Sequence, residues 1–181
     1  MKYNLVSAIL KGEWAMDPLY IVQHLPWAEK MLKGDASAFF DDDEEEEPEP
    51  IATLYVFDAG KWRKSTPQDS LSLGGVEVFE VSGPMMKSGF CSYGTRDYVE
   101  ALKAAYQNKR VSSTLFVWDT PGGQVDGTPT FHDAIKDPAK PTVSLVQDGM
   151  CCSAGVWASI GSDSLWASQK TDIIGSIGVY T

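Results

Sequence analysis

Apolar positions along this chain are spaced first for helices, then for strands and helices in alternation. Leu5, Val6, Ile9 and Leu10 recur at helical spacing, and Asp17-Pro18 then supplies a cap with proline in the first turn. Two short N-terminal helices are expected, the second kinked or ended near Pro26 and finished before Gly34. Beyond residue 50 the period shortens. Ile51 to Phe57 alternates as a strand does, residues 60–75 carry turn chemistry, and Val76 to Val81 is the clearest alternating strand, stopped by Ser82-Gly83-Pro84. Thr95 to about Asn108 reads as a helix burying Tyr98, Leu102 and Ala105. Ser113 to Trp118 and Pro141 to Val146 are nearly continuous apolar runs, as buried parallel strands are. Between them, Thr128-Pro129 opens a helix reaching about Lys136. Ser153 to about Gly161 reads as another helix, followed by a short strand near Leu165-Trp166-Ala167. Strands alternating with helices imply crossover connections and a layered α/β domain.

Charge and composition divide the chain. Its 181 residues, 43% hydrophobic, suffice for one sizeable core. The formal net charge is −10, but eight of the 25 acidic residues lie between Asp41 and Glu49, and without them the charge is about −2. Repelling like charges that bury nothing make residues 41–50 a linker. The expected domains are therefore a helical segment at 1–40, this acidic linker, and an α/β domain at 51–181. No basic surface suits a phosphate backbone, so nucleic acid is not an expected partner. Cys91, Cys151 and Cys152 are odd in number with two adjacent, which fits a reducing compartment. His24 and His132 have no metal-like spacing to them, so no metal site is expected. No apolar run approaches the length of about 18 residues that a membrane helix needs, and a soluble, cytoplasmic protein is expected.

Two runs carry candidate chemistry. Cys151-Cys152-Ser153-Ala154-Gly155 puts a serine where a strand hands over to a helix, flanked by small residues that leave room for a substrate. A serine hydroxyl becomes a nucleophile only with a base in reach and donors aimed at the oxyanion. The Ala154 N–H, at the positive end of the helix, is one candidate donor. The other would come from Gly122 or Gly123 in Asp119-Thr120-Pro121-Gly122-Gly123, since a residue without a side chain lets its backbone approach a carbonyl closely. On residues alone, Pro-Gly-Gly is most often a plain turn, and a small-residue helix start containing serine is most often a tight packing contact.

From Val76 to Tyr180 the landmarks occur in an order that resembles the signal peptide peptidase A family of serine peptidases, relatives of the Clp protease proteolytic subunit. They are Ser82-Gly83-Pro84-Met85, the helix before Val111, Asp119 to Gly123, Lys140-Pro141-Thr142-Val143, Cys152-Ser153-Ala154-Gly155 and Gly175-Ser176-Ile177-Gly178-Val179. The resemblance implies the Clp protease/crotonase fold of stacked β-β-α units that assemble into rings, with Ser153 as nucleophile and Gly123, with Ala154, as oxyanion hole. Cys152 stands where an alanine is frequent, and Ala154 where a glycine is. Ile9-Leu10-Lys11-Gly12-Glu13-Trp14-Ala15-Met16-Asp17-Pro18 is similar to the opening of phage-encoded members, the minor capsid protein C type of head-maturation protease. This implies protein substrates such as scaffold and head proteins, homo-oligomers, a host-cytoplasm or prohead location, and no cofactor.

The same resemblance implies a serine-lysine dyad, its lysine tens of residues beyond Gly175-Ser176-Ile177-Gly178. Only Val179, Tyr180 and Thr181 follow here, so the expectation is a domain without its C-terminal part and without its base. Lys170 stands among polar turn residues, Lys87 in a loop and His132 on a helix, and none is a candidate base. Four readings follow: a peptidase fragment, a subunit whose base comes from another chain, a non-catalytic virion protein that keeps the fold, and, weakest, an acyl-CoA-handling crotonase.

Overall fold

The computed structural model describes residues 14–16, 33, 50–69, 74–89, 93–136 and 139–179. The helices expected on either side of residue 15 and the acidic linker lie outside the described residues, except that Trp14–Met16 is a short strand, β1, that the helical spacing did not announce. The strands that follow are β2 (Ala52–Asp58), β3 (Lys61–Lys64), β4 (Gly75–Ser82), β5 (Val111–Thr120), β6 (Gly122–Gln124), β7 (Thr142–Cys152), β8 (Ser164–Ala167) and β9 (Ile173–Gly175). The helices are α1 (Thr95–Gln107), α2 (Thr128–Ile135) and α3 (Ala154–Ser159).

The expected α/β class is the one observed. Seven strands form one sheet in the order β3-β2-β4-β5-β7-β8, with β9 joined to β7. β3, β2 and β4 are antiparallel, whereas β4, β5, β7 and β8 run parallel and are linked by helical crossovers. Two strands of this sheet escaped the sequence reading, Lys61–Lys64, where only turn residues were expected, and Ile173–Gly175, as did β6 beside it, which was read as a turn. The first two are short and largely exposed, so they carry almost no apolar periodicity, and their pairing to β2 and β7 is what makes them strands.

One face of the sheet carries the core. Phe79 of β4 stacks on Phe116 of β5 at 5.0 Å, and Phe131 of α2 meets Tyr98 of α1 at 5.4 Å and Phe116 at 6.0 Å. Phe79, Phe116, Trp118 and Phe131 are fully buried, each contributing about 1.5–3 kcal/mol through burial alone. The Trp118 indole N–H donates to Ser144 Oγ at 2.9 Å, so the ring's one polar atom is satisfied in the core. α1 buries Tyr98, Leu102 and Ala105, as its periodicity predicts, and Val99 beside them. Its first turn is held by Gly94, whose N–H donates to the Asp97 carboxylate at 2.7 Å. At its other end the Lys140 ammonium donates to the carbonyls of Ala105 and Asn108 at 2.8 and 2.6 Å, which fixes the entrance to β7. α2 is capped by Gly127, at φ 96°, rather than by Thr128, whose hydroxyl donates to the Gln124 carbonyl instead.

Candidate active site

Both sequence runs leave the parallel strands at neighbouring carboxyl ends, where open α/β sheets bind ligands. Trp118 of β5 pairs with Val146 of β7, yet Thr120 pairs with Cys151, so β7 carries extra residues between the two positions. Asp148, inside that bulge, has φ 51°. Asp119 spans it: its Oδ1 accepts the Met150 N–H at 3.1 Å, and a side chain at Gly149 would strike its carboxylate. The bulge re-aims the last turn of β7, as bulges beside functional sites do.

That turn ends at Ser153, whose φ of 51° and ψ of −107° belong to no relaxed conformation of an L residue. Such a backbone costs about 1–3 kcal/mol and persists only where its surroundings dictate it. They do so here. The Ser153 N–H donates to the Gly175 carbonyl at 2.9 Å, its own carbonyl accepts the Trp157 N–H at 3.0 Å, and its Oγ donates to the Gly178 carbonyl at 3.1 Å. The residue is 1% exposed, so the segment through Gly175 and Gly178 lies over the hydroxyl. Sequence reading marked this glycine-serine-isoleucine-glycine run as a landmark but gave it no contact with Ser153. A carbonyl partner leaves no side-chain signature.

The glycine turn is built as tightly. Thr120 Oγ1 donates to the Gly83 carbonyl at 2.7 Å and accepts the Gly122 N–H at 3.2 Å, tying the glycine run to Ser82-Gly83-Pro84. The Gly122 amide is therefore engaged within its own turn. Met85 donates its N–H to the Gly122 carbonyl at 2.8 Å and accepts the Gln124 N–H at 2.8 Å. A Cβ at Gly123 would collide with the Met85 backbone, so only glycine permits this approach. Ala154 opens α3 directly after Ser153 and is fully buried. α3 packs on β6, and Gly155 makes that packing possible: a Cβ there would lie 2.6 Å from the Thr120 methyl and 3.3 Å from Cys151 Sγ. Burial pushes the Cys151 thiol up to about 12, so it stays neutral beneath the site.

Of the basic residues set aside in the sequence reading, Lys87 and His132 are engaged elsewhere and Lys170 is exposed. Lys87 Nζ pairs with Asp126 at 2.6 Å while its backbone N–H donates to Gln124 Oε1 at 2.9 Å. His132 Nδ1 lies 3.0 Å from Asp133 Oδ1, and Lys170 sits in an exposed turn. Among the described residues the Ser153 hydroxyl is bonded to a carbonyl rather than to a lysine or histidine. No group of three or more His, Cys, Asp or Glu that could hold a metal occurs among the described residues, and no helix there is long and apolar enough to cross a membrane.

No protein-family model and no curated protein matches this chain. Among solved structures it is similar to the 1510-N membrane protease specific for a stomatin homolog from Pyrococcus horikoshii, at 21% identity and TM-score 0.42 over 50% of this chain and 43% of that one. It is similar to a putative enoyl-CoA hydratase from Streptomyces coelicolor A3(2), at 12% identity and TM-score 0.45 over 71% and 49% of the two chains. The beta subunit of P. aeruginosa geranyl-CoA carboxylase follows, at 17% identity and TM-score 0.47 over 58% and 24%. The chain spans less than half the length of each of these proteins, and the likenesses, to a protease and to acyl-CoA enzymes, do not choose between those activities.

Proposed function

We propose that this chain is a serine endopeptidase, with Ser153 as nucleophile and the Gly123 and Ala154 amides as oxyanion donors. The observation that carries the reading is the conformation of Ser153: a strained backbone at a strand-to-helix turn, next to a glycine edge that tolerates no side chain. A residue placed only for packing has no need of that strain, whereas a nucleophile on a sharp elbow does. In the reaction, Oγ attacks the peptide carbonyl carbon as its proton passes to a base. The C–N bond breaks, the amine leaves protonated, and water then cleaves the acyl-serine ester. By the family resemblance the base is a lysine amine, supplied from outside the described residues. The resemblance of Ile9 to Pro18 to phage-encoded members implies scaffold and head proteins as substrates, and the resemblance of the domain from Val76 onward implies assembly into rings.

The second reading, a non-catalytic structural protein of the virion, is favoured by one observation: Ser153 is 1% exposed and its hydroxyl is held by the Gly178 carbonyl. Fluorophosphonate labelling separates the two. The expected result is labelling that Ser153→Ala abolishes, weak in this chain and at least about tenfold stronger when a lysine-bearing downstream segment is added, since a general base contributes about 10²–10⁴ in rate. Absence of Ser153-dependent labelling in the extended protein would leave the structural reading.

A further inference from the structure

We propose that strand β1, Trp14–Met16, occupies the peptide-binding edge of this site as an internal competitor, so that the protein folds in a self-inhibited state. The inference rests on the reading of Gly123 as an oxyanion donor and adds the group that covers it. β6 has two edges. Met85 takes one of them, through its bonds to the Gly122 carbonyl and the Gln124 N–H. Backbone polar groups alternate in direction along an extended chain, so the N–H and C=O of Gly123 face the opposite edge. On that edge lies β1, antiparallel, with Trp14 opposite Gln124, Ala15 opposite Gly123 and Met16 opposite Gly122. In an antiparallel pair, a residue whose N–H and C=O both face the partner strand exchanges them with the residue directly opposite. The Gly123 amide is thereby directed at the carbonyl of Ala15.

A substrate carbonyl awaiting attack needs that same amide. An extended peptide and β1 are therefore mutually exclusive on this edge, in the manner of strand addition. Ala15 is suited to the position. It is 4% exposed, and its methyl joins the buried cluster that also holds Met85, Cys151 and Ala154. The competition is set to be reversible. A tethered strand has an effective concentration of about millimolar, and three residues bind weakly, so a longer peptide added at comparable concentration displaces it.

The test uses the full chain and two readouts. Hydrogen exchange of the Gly123 amide, followed by NMR, is compared between the wild type and Ala15→Pro, which removes the N–H that Ala15 directs at Gly123. Ala15→Asp, which puts a charge in the buried position, serves as the second variant where the proline variant fails to fold by circular dichroism. The expected result is Gly123 exchange at least about tenfold faster in the variant. A synthetic peptide of the sequence from Gly12 to Pro18 should then restore protection in the variant and leave the wild type unchanged. Equal Gly123 exchange in wild type and folded variant overturns the proposal. Time-dependent loss of the first 15 residues by intact mass also overturns it, because β1 would then be a substrate rather than an inhibitor. In parallel, Ser153 labelling should rise in the variant. Faster exchange with no Ser153-dependent labelling upholds the occupancy of the edge and removes the peptidase reading instead.

Discussion

At the scale of single residues, the buried cysteine beneath the site gives a test that needs no substrate. Cys151 is fully buried, and its thiol is pushed from 9.0 up to about 12 by burial. A raised folded-state value means that the folded form keeps its proton where the unfolded chain loses it. Its contribution to stability is therefore fully present below pH 9 and is lost as the pH rises from 9 towards about 12. Urea unfolding across that range should show a declining midpoint, and Cys151→Ala should flatten the decline. Iodoacetamide at pH 8 should reach Cys151 only at the rate of opening, by peptide mapping. Prompt alkylation of the native protein would contradict the burial. The motifs around this residue were legible as sequence, but the strain at Ser153 and the engagement of the Gly122 amide were not. A φ of 51° arises from the bulge in β7 and the grip of Gly175, neither of which a local string encodes.

At the scale of elements, α3 shows how a short helix is placed by what it cannot carry. Gly155 inside a helix forfeits about 1 kcal/mol relative to alanine by propensity alone. A Cβ there meets the Thr120 methyl at 2.6 Å, and overpacking of that kind costs about 1–3 kcal/mol. The packing term outweighs the propensity gain once the side chain is larger than a methyl. Gly155→Val should lower stability by about 1–3 kcal/mol, read as a reduced urea midpoint, and should weaken any Ser153 labelling by shifting α3 from β6. An unchanged midpoint would mean that α3 does not rest on Thr120. The regular elements were legible because their periodicity is strong: β4, β5 and α1 fall within one or two residues of the expected bounds. β7 was half legible. Its first five residues are an apolar run, while its second half, from Gln147 to Cys152, is held as a strand by Thr120 and by β9.

At the scale of the whole molecule, the two sheet faces differ. Helices cover one face. On the other, Tyr55, Val76, Val78, Leu115 and Val117 line a broad groove of about 800 Å³, with Trp62 at its margin. Phe57, Trp62 and Trp166 are exposed, as are Ile173, Ile177 and Val179 near the site. Apolar surface on this scale drives association. Sedimentation velocity should therefore show mass increasing with protein concentration, and Trp62→Arg should raise the apparent dissociation constant about tenfold, the worth of one well-buried aromatic at an interface. A monomer at every concentration tested would contradict the expected self-association.

The sequence by itself determined the α/β layering, the strands and helices with strong apolar period, and the two short runs where chemistry could reside, because periodicity and glycine placement are properties of neighbouring residues. Only the tertiary structure decided that Asp119 reaches Met150 and Thr120 pairs with Cys151 to join the two runs, that carbonyls from Gly175 and Gly178 clasp Ser153, and that β1 pairs with the glycine edge. Each of those contacts has a backbone amide or carbonyl on at least one side and joins segments far apart in the chain. A backbone amide or carbonyl is the same in every residue, so its choice of partner is fixed by the fold and leaves no mark in the letters.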